Sequence, residues 1–270
     1  MARSVKKFYT GKVKTEWNRL IQDAYHKLEL DTTLYFLKKY LPKKGLILDA
    51  GGGPGRYTID LAKQGYDIIL LDLTPANLEF AKKQIKKAKV QNKIKGVIEG
   101  SITDLSKFPN NTFDAVICLG GPLSHVLDKK KRDKAIFELI RVAKKGAPVA
   151  VSVIGRLAVL ARAVKIFPEE IGLPHFKKYR DTGDYPGQFG FTASHFFLPE
   201  ELKNLFAKKK VKILAMAGLE GIGSNLQEKV NQLAKNKKRW SAWLETHYKF
   251  CTHPAIIGIS KHQLIICKKL

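Results

Sequence analysis

The residues best placed to do chemistry lie between Leu46 and Asp72. A short apolar run, Leu46-Ile47-Leu48, ends in Asp49-Ala50-Gly51-Gly52-Gly53-Pro54-Gly55, and a second run, Ile68 to Leu71, ends in Asp72 and Leu73. Glycines directly after a buried strand let the backbone turn sharply and come within contact distance of a ligand, where any Cβ would intrude. The helix expected from Arg56 to Gln64 points its N-terminus at the same spot. A carboxylate closing the next strand can accept both hydroxyls of a ribose. The pattern predicts a nucleoside cofactor.

Spacing separates two ligand classes. Dinucleotide sites usually read GxGxxG, with a third glycine for helix packing. Here Gly51, Gly53 and Gly55 alternate, and Asp49 stands two residues before the first of them. That (D/E)xGxGxG pattern resembles motif I of the class I S-adenosylmethionine-dependent methyltransferases of small-molecule type. The resemblance is strong over Leu41 to Val153 and looser elsewhere. It implies an enzyme that moves a methyl group from S-adenosyl-L-methionine to an O, N or S atom of a small-molecule acceptor. It also implies cofactor binding by Asp49, Gly51, Gly52, Gly53, Gly55, Asp72 and Leu73.

The segments that follow keep the family's order. Ile94 to Leu105 reads IKGVIEGSITDL, and Phe113 to Leu123 reads FDAVICLGGPL. Relatives commonly carry GDAxDLP in the first segment, with its Asp accepting the adenine amino group. Ser101 stands at that position, an uncharged hydroxyl able to accept the same bond. The resemblance further puts Ile102 against the adenine, and Leu119 and Gly120 beside the reacting methyl.

The opening of the chain, with Tyr9, then Glu16-Trp17-Asn18-Arg19-Leu20, then Glu29 before Thr32 and Thr33, resembles a set of these enzymes whose N-terminal helix folds over the cofactor. On that resemblance Tyr9 and Arg19 reach the methionyl carboxylate. The residues alone also allow an ordinary amphipathic face of Trp17, Leu20 and Tyr25, with Glu16 and Arg19 pairing at i, i+3 for about a few tenths of a kcal/mol. Arg56 carries the same two readings.

Methyl transfer needs positioning more than covalent help, and a general base only where the acceptor must lose a proton. His125, on the turn after the fourth strand, and His195, in the run Phe191 to Phe197, are the candidate catalytic bases. His175, His253 and His262 are further candidates. No histidine pair has metal-ligand spacing, so no metal is expected. Phe167, Phe176, Tyr179, Tyr185, Phe189, Phe191, Phe196 and Phe197 form either an apolar acceptor wall or a local core. If they form the wall, Arg156 and Arg162 select an anionic acceptor.

Positioning these groups requires alternating strands and helices, hence a mostly parallel sheet. Strands are expected at Leu46 to Asp49, Asp67 to Asp72, Lys95 to Glu99, Phe113 to Leu119, Pro148 to Val153, Val211 to Ala217 and Leu264 to Lys268. Helices are expected at Thr15 to Tyr40, Arg56 to Gln64, Pro75 to Lys89, Lys131 to Ala143, Pro199 to Ala207 and Leu226 to Tyr248. The fold class is α/β, a doubly wound, seven-stranded, mostly parallel sheet flanked by helices. The resemblance makes this the class I methyltransferase fold, with an antiparallel last strand. Residues 1–40 read as an N-terminal helical cap and 41–270 as the main domain. Insertions at 154–198 and 220–263 are expected to form lids over the acceptor.

At 270 residues and 44% hydrophobic, the chain can bury one full core. No apolar run approaches the ~20 residues a membrane span requires. The start lacks an apolar segment, so neither signal peptide nor anchor is expected. Cys118, Cys251 and Cys267 are far apart, as buried thiols of a reducing, cytoplasmic compartment would be. The net charge of +25 favours anionic partners, nucleic acid first. Yet the runs at Lys129 to Arg132, Lys208 to Lys210 and Lys237 to Arg239 are separated and lack interleaved aromatics. The ranking is therefore a small-molecule acceptor, then RNA methylation on the same fold, then a non-catalytic nucleotide- or NAD-binding protein. Oligomeric state is open at this level.

Overall fold

A computed structural model describes residues 2–187 and 191–270. Its strands are β1 (Leu46–Ala50), β2 (Asp67–Asp72), β3 (Ile94–Glu99), β4 (Ala115–Cys118), β5 (Pro148–Ile154), β6 (Asp184–Tyr185), β7 (Ser194–His195), β8 (Val211–Gly218) and β9 (His262–Lys269). Seven of them form one sheet in the order β3-β2-β1-β4-β5-β9-β8, and β6 and β7 pair separately. β9 runs antiparallel to both β5 and β8, while β3, β2, β1, β4 and β5 are mutually parallel. All seven expected strands and the antiparallel last strand are present.

The central strands are apolar throughout because both faces are covered. Alternation divides them between two cores: Ile47, Leu70 and Ile117 face one side, and Leu48, Leu71 and Val116 the other. The strand order reverses between β1 and β4, so a crevice opens beyond their carboxyl ends, where Asp49 and Leu119 emerge.

The helices are α1 (Ala2–Thr10), α2 (Val13–Arg19), α3 (Ala24–Tyr40), α4 (Arg56–Lys63), α5 (Pro75–Lys87), α6 (Lys129–Val142), α7 (Arg156–Ile166), α8 (Pro174–Thr182), α9 (Pro199–Ala207), α10 (Gln227–Ala234), α11 (Lys237–Phe250) and α12 (Pro254–Ile259). The single helix expected from Thr15 to Tyr40 is broken. Asp23 caps α3, its carboxylate accepting from the His26 N–H at 2.8 Å, and this stops continuation from α2. The helix expected from Leu226 to Tyr248 is likewise divided, with Asn236 capping α11 by accepting from Arg239 N–H at 3.0 Å. No helix among the described residues is long and apolar enough to cross a membrane.

The first insertion has its own small core of Ile154, Tyr179, Tyr185 and Phe196, against which Phe176 packs. Phe197 belongs to the main core, and Phe189 lies outside the described residues. The second insertion packs α10 on α3 through Tyr25, Leu28 and Val230. It braces the N-terminal helices, and none of its residues lines the cleft described next.

Candidate active site

The loop after β1 is built around backbone that only glycine adopts cheaply: φ is +80° at Gly51, +56° at Gly53 and +86° at Gly55. Close approach reinforces the requirement. A Cβ on Gly51 would lie 2.6 Å from the Pro122 ring, and one on Gly52 would lie 2.4 Å from Asp49 Oδ2. Gly55 caps α4 and packs toward Ala81.

Asp72 ties this loop to the end of β2. Its Oδ2 accepts from Gly53 N–H at 2.9 Å, and its Oδ1 accepts from Thr74 N–H at 2.8 Å and Asn77 Nδ2 at 3.2 Å. Burial raises its pKa, and these hydrogen bonds oppose the rise. Asp49 lies fully buried behind the loop. Its Oδ2 accepts from the Thr58 hydroxyl at 2.6 Å, while Oδ1 has no partner. Burial pushes this carboxyl up to about 7, against the Thr58 bond and with help from the Asp72 charge.

The cap closes the cleft from the other side. Tyr9 Oη lies 2.7 Å from His125 Nε2, and His125 Nδ1 lies 3.3 Å from the Ala193 carbonyl and 3.2 Å from Ser194 Oγ. A carbonyl can only accept, which assigns the ring proton to Nδ1 and makes Nε2 the acceptor for the Tyr9 hydroxyl. Burial pushes His125 down to about 4, so the ring is neutral near pH 7. Burial raises the Tyr9 phenol well above its usual value. Phe8 and Phe191 meet edge-on at 5.8 Å beside them.

Arg19 donates to both Glu29 oxygens, at 3.1 Å for the Nη2 bond, and its Nε donates to Glu16 at 3.2 Å. Burial opposes charge on Glu29, but Arg19 and then His262 outweigh it and hold the carboxyl down to about 2. A Cβ on Gly120 would sit 3.2 Å from Arg19 Nη2, which puts this ion pair against the turn after β4. Arg56 stacks 3.6 Å from the Trp17 ring centroid and donates to the Trp17 carbonyl at 2.6 Å, fastening α2 to the start of α4.

Together these elements enclose a cleft of about 470 Å³. Tyr9, Arg19, Gly51, Gly52, Gly53, Asp72, Leu73, Ser101, Ile102, Leu119 and His125 line it, whereas Asp49 and Gly55 sit behind the lining. Ser101 Oγ is 2.8 Å from Thr103 Oγ1 and accepts from Thr103 N–H at 3.2 Å. Thr74, Asn77, Pro122 and Tyr57 also line the cleft and were not anticipated from the sequence. The Thr74-Pro75 start of α5, directly after Asp72, was the available signal for the first two.

Two sequence assignments are corrected. His195 is not at the cleft: Nδ1 lies 2.6 Å from Asp184 Oδ1 and Nε2 lies 2.5 Å from Glu201 Oε1, so both ring nitrogens are engaged between carboxylates. Arg156 donates to the Phe196 and Thr182 carbonyls and to Glu201, holding the insertion together rather than facing an acceptor. His175 pairs with Glu170, and His253 caps α12. His262 stands between Glu220 and Glu29, and these three are the one metal-like group among the described residues. Both carboxylates meet the same His262 Nδ1, and Arg19 also holds Glu29. Among the described residues, only Arg19, Arg56 and Lys131 of the lysines and arginines line the cleft, so the positive charge is not concentrated there.

Residues 47–146 match the methyltransferase domain family. The chain is similar to a glycine/sarcosine N-methyltransferase of Parasynechococcus marenigrum (strain WH8102), 30% identical over 129 residues, which are 47% of this chain and 44% of that protein. It is also similar to the tRNA 5-carboxymethoxyuridine methyltransferase of Escherichia coli (strain K12), 22% identical over 84% of this chain and 81% of that protein. The chain spans less than half the length of the first curated relatives it matches. A solved SAM-dependent methyltransferase from Methanosarcina mazei shares the fold, with a TM-score of 0.62 at 20% identity, over 87% of this chain and 97% of that one.

Proposed function

The chain carries a methyltransferase domain of the class I fold, and from that premise we propose that it binds S-adenosylmethionine in the cleft and methylates an O, N or S atom of a small molecule. The observation that carries this reading is the Asp72 carboxylate, bonded to loop, strand end and helix start at once while lining the cleft. These donors orient both oxygens, fill the two lone-pair sites of Oδ1 and leave Oδ2 one acceptor site for a ribose hydroxyl. The glycine floor admits the aminoacyl end, and Asp49 Oδ1, buried without a partner, suits a cationic ligand. Leu73, Ser101 and Ile102 supply an adenine wall.

S-adenosylmethionine held by Asp72 and the glycine loop would supply a methyl group already activated by its sulfonium. The protein's part is positioning and exclusion of water. α1 covers the cleft through the Tyr9–His125 bond. Because the Tyr9 hydroxyl donates its hydrogen bond to Nε2, the phenolic oxygen keeps lone pairs to orient an N–H or O–H of the acceptor. His125 thus serves as a positioning residue for Tyr9. Three free, buried cysteines suit a reducing cytoplasm.

Enclosure by the cap and the internal pairing of Arg19 and Arg56 favour a small acceptor. The Escherichia coli relative and the charge of +25 keep RNA as the second reading. Incubation with methyl-labelled cofactor, separately with small-molecule pools and with tRNA, distinguishes them. Label in the small-molecule fraction supports the proposal, label in tRNA replaces it with the second reading, and label in neither contradicts transfer activity.

A further inference from the structure

α7 is apolar on the side it turns to solvent as well as on the side it buries. Val159 and Leu160 pack on the small core of the first insertion, and Ala158 and Ala163 are buried. Leu157, Ala161 and Val164, spaced i, i+4 and i+7, form a second stripe that faces out. Val164 is 68% exposed and Leu157 43%. The end of the helix and the turns after it add Ile166 at 47%, Ile171 at 45% and Leu173 at 42%. A helix apolar all round is ordinarily covered, and large aliphatic side chains exposed together mark a contact surface.

Cations interleave with this surface in sequence. Arg162, Lys165, Lys177, Lys178 and Arg180 are exposed on α7 and α8, against exposed Glu169 and Asp181, and Asp181 is paired with Arg180 at 2.6 Å. That combination selects the partner. A second copy of the chain would bring the same cations, and a net charge of +25, against themselves. Nucleic acid would meet leucine, valine and isoleucine where base stacking needs aromatic rings. Anionic lipid headgroups complement the cations, and the acyl boundary beneath them takes the aliphatic side chains.

We infer that α7 and the turns after it dock the protein peripherally on an anionic lipid bilayer. The contact lies within the interface: no helix among the described residues is long and apolar enough to cross a membrane. The same insertion returns to the cleft, where the Ala193 carbonyl and Ser194 Oγ meet His125 Nδ1. The element on the lipid and one wall of the cleft are therefore parts of a single segment. None of the apolar residues of the docking surface lines the cleft itself.

The test is co-sedimentation with vesicles of phosphatidylcholine alone and of phosphatidylcholine mixed in equal parts with phosphatidylglycerol, at physiological ionic strength and without cofactor. The proteins are wild type, Val164→Ser and the double variant Val164→Ser with Ile171→Ser. These substitutions leave the net charge at +25, so attraction of the whole surface to anionic lipid is unchanged. Both side chains are exposed, and an unchanged melting temperature checks the fold. The expected result is binding of wild type to the mixed vesicles alone, weakened about tenfold in the double variant and by less in Val164→Ser, as for lost insertion of aliphatic side chains. No binding of wild type to the mixed vesicles overturns the proposal. Equal binding by wild type and the double variant overturns the assignment to α7, leaving general charge as the cause. Equal binding to both vesicles overturns the selection of anionic lipid. A wild-type dimer in sedimentation equilibrium that the double variant abolishes replaces the lipid with a second copy of the chain. Because no cofactor is present, none of these outcomes depends on the methyltransferase reading.

Discussion

The Tyr9 hydroxyl donates a 2.7 Å hydrogen bond to His125 Nε2 across 116 positions of sequence, and this bond closes the first helix over the cleft. α1 has only nine residues, too few to be stable alone in water. Its place depends on tertiary contacts, among them this bond, the buried Val5, the Lys6–Glu99 ion pair at 2.6 Å and the Phe8–Phe191 edge contact.

Tyr9→Phe is accordingly expected to loosen closure without unfolding the domain. A lost hydrogen bond of about 1 kcal/mol corresponds to roughly fivefold weaker cofactor affinity. Calorimetry at pH 7, alongside an unchanged melting temperature, checks this.

Acid should act through two buried histidines. Burial pushes both His125 and His247 down to about 4, from an ordinary value of 6.5. Between those values the unfolded chain binds more protons than the folded one, so stability rises with pH there. Their contribution is complete above pH 6.5 and is lost as pH falls toward 4. Urea midpoints measured across that window should fall with acidification, and less steeply in His247→Gln.

Asp49 acts with the opposite sign in the free protein. Its buried carboxyl holds a proton up to about pH 7, whereas the unfolded chain releases it near 3.8, so its contribution is lost as pH rises. A cationic ligand should reverse this preference by favouring the carboxylate. Affinity for S-adenosylmethionine should therefore rise through neutral pH with proton release, and that for S-adenosylhomocysteine, which lacks the sulfonium charge, should rise less. Asp49→Asn should remove the difference, as titrations in buffers of different ionisation enthalpy would show.

Arg19→Met should cost stability as well as binding. It would leave Glu29, 2% exposed, without its main counter-charge. Breaking a buried pair from one side costs about 3 kcal/mol. Arg19→Lys, which keeps charge but not the two-pronged geometry, should recover part of that in denaturant titrations.

The strands and the glycine loop were legible because their signals are local: apolar runs, alternation, and glycines where Pro122 and Asp49 leave no room for a Cβ. The division of the expected Thr15 to Tyr40 helix was also local, but the Asp23 cap was hidden inside a longer apolar period. The fates of His125 and His195 were not legible. Both follow phenylalanine- or glycine-rich stretches, yet one meets Tyr9 in the cleft and the other is held by Asp184 and Glu201. Those partners come from α1, the first insertion and α9, whose packing together sequence spacing does not encode. The bracing role of the second insertion depends in the same way on the Tyr25, Leu28 and Val230 contact.

The central claim is that the Asp72-anchored loop holds a sulfonium nucleoside. Calorimetric titration of the nucleic-acid-free protein with S-adenosylmethionine, S-adenosylhomocysteine and NAD, repeated with Asp72→Ala, tests it most directly. The expected result is binding of the first two, no binding of NAD, and a loss of about tenfold or more in the variant, as for removal of charge-assisted bonds. Preference for NAD, or wild-type affinity in Asp72→Ala, would contradict the account.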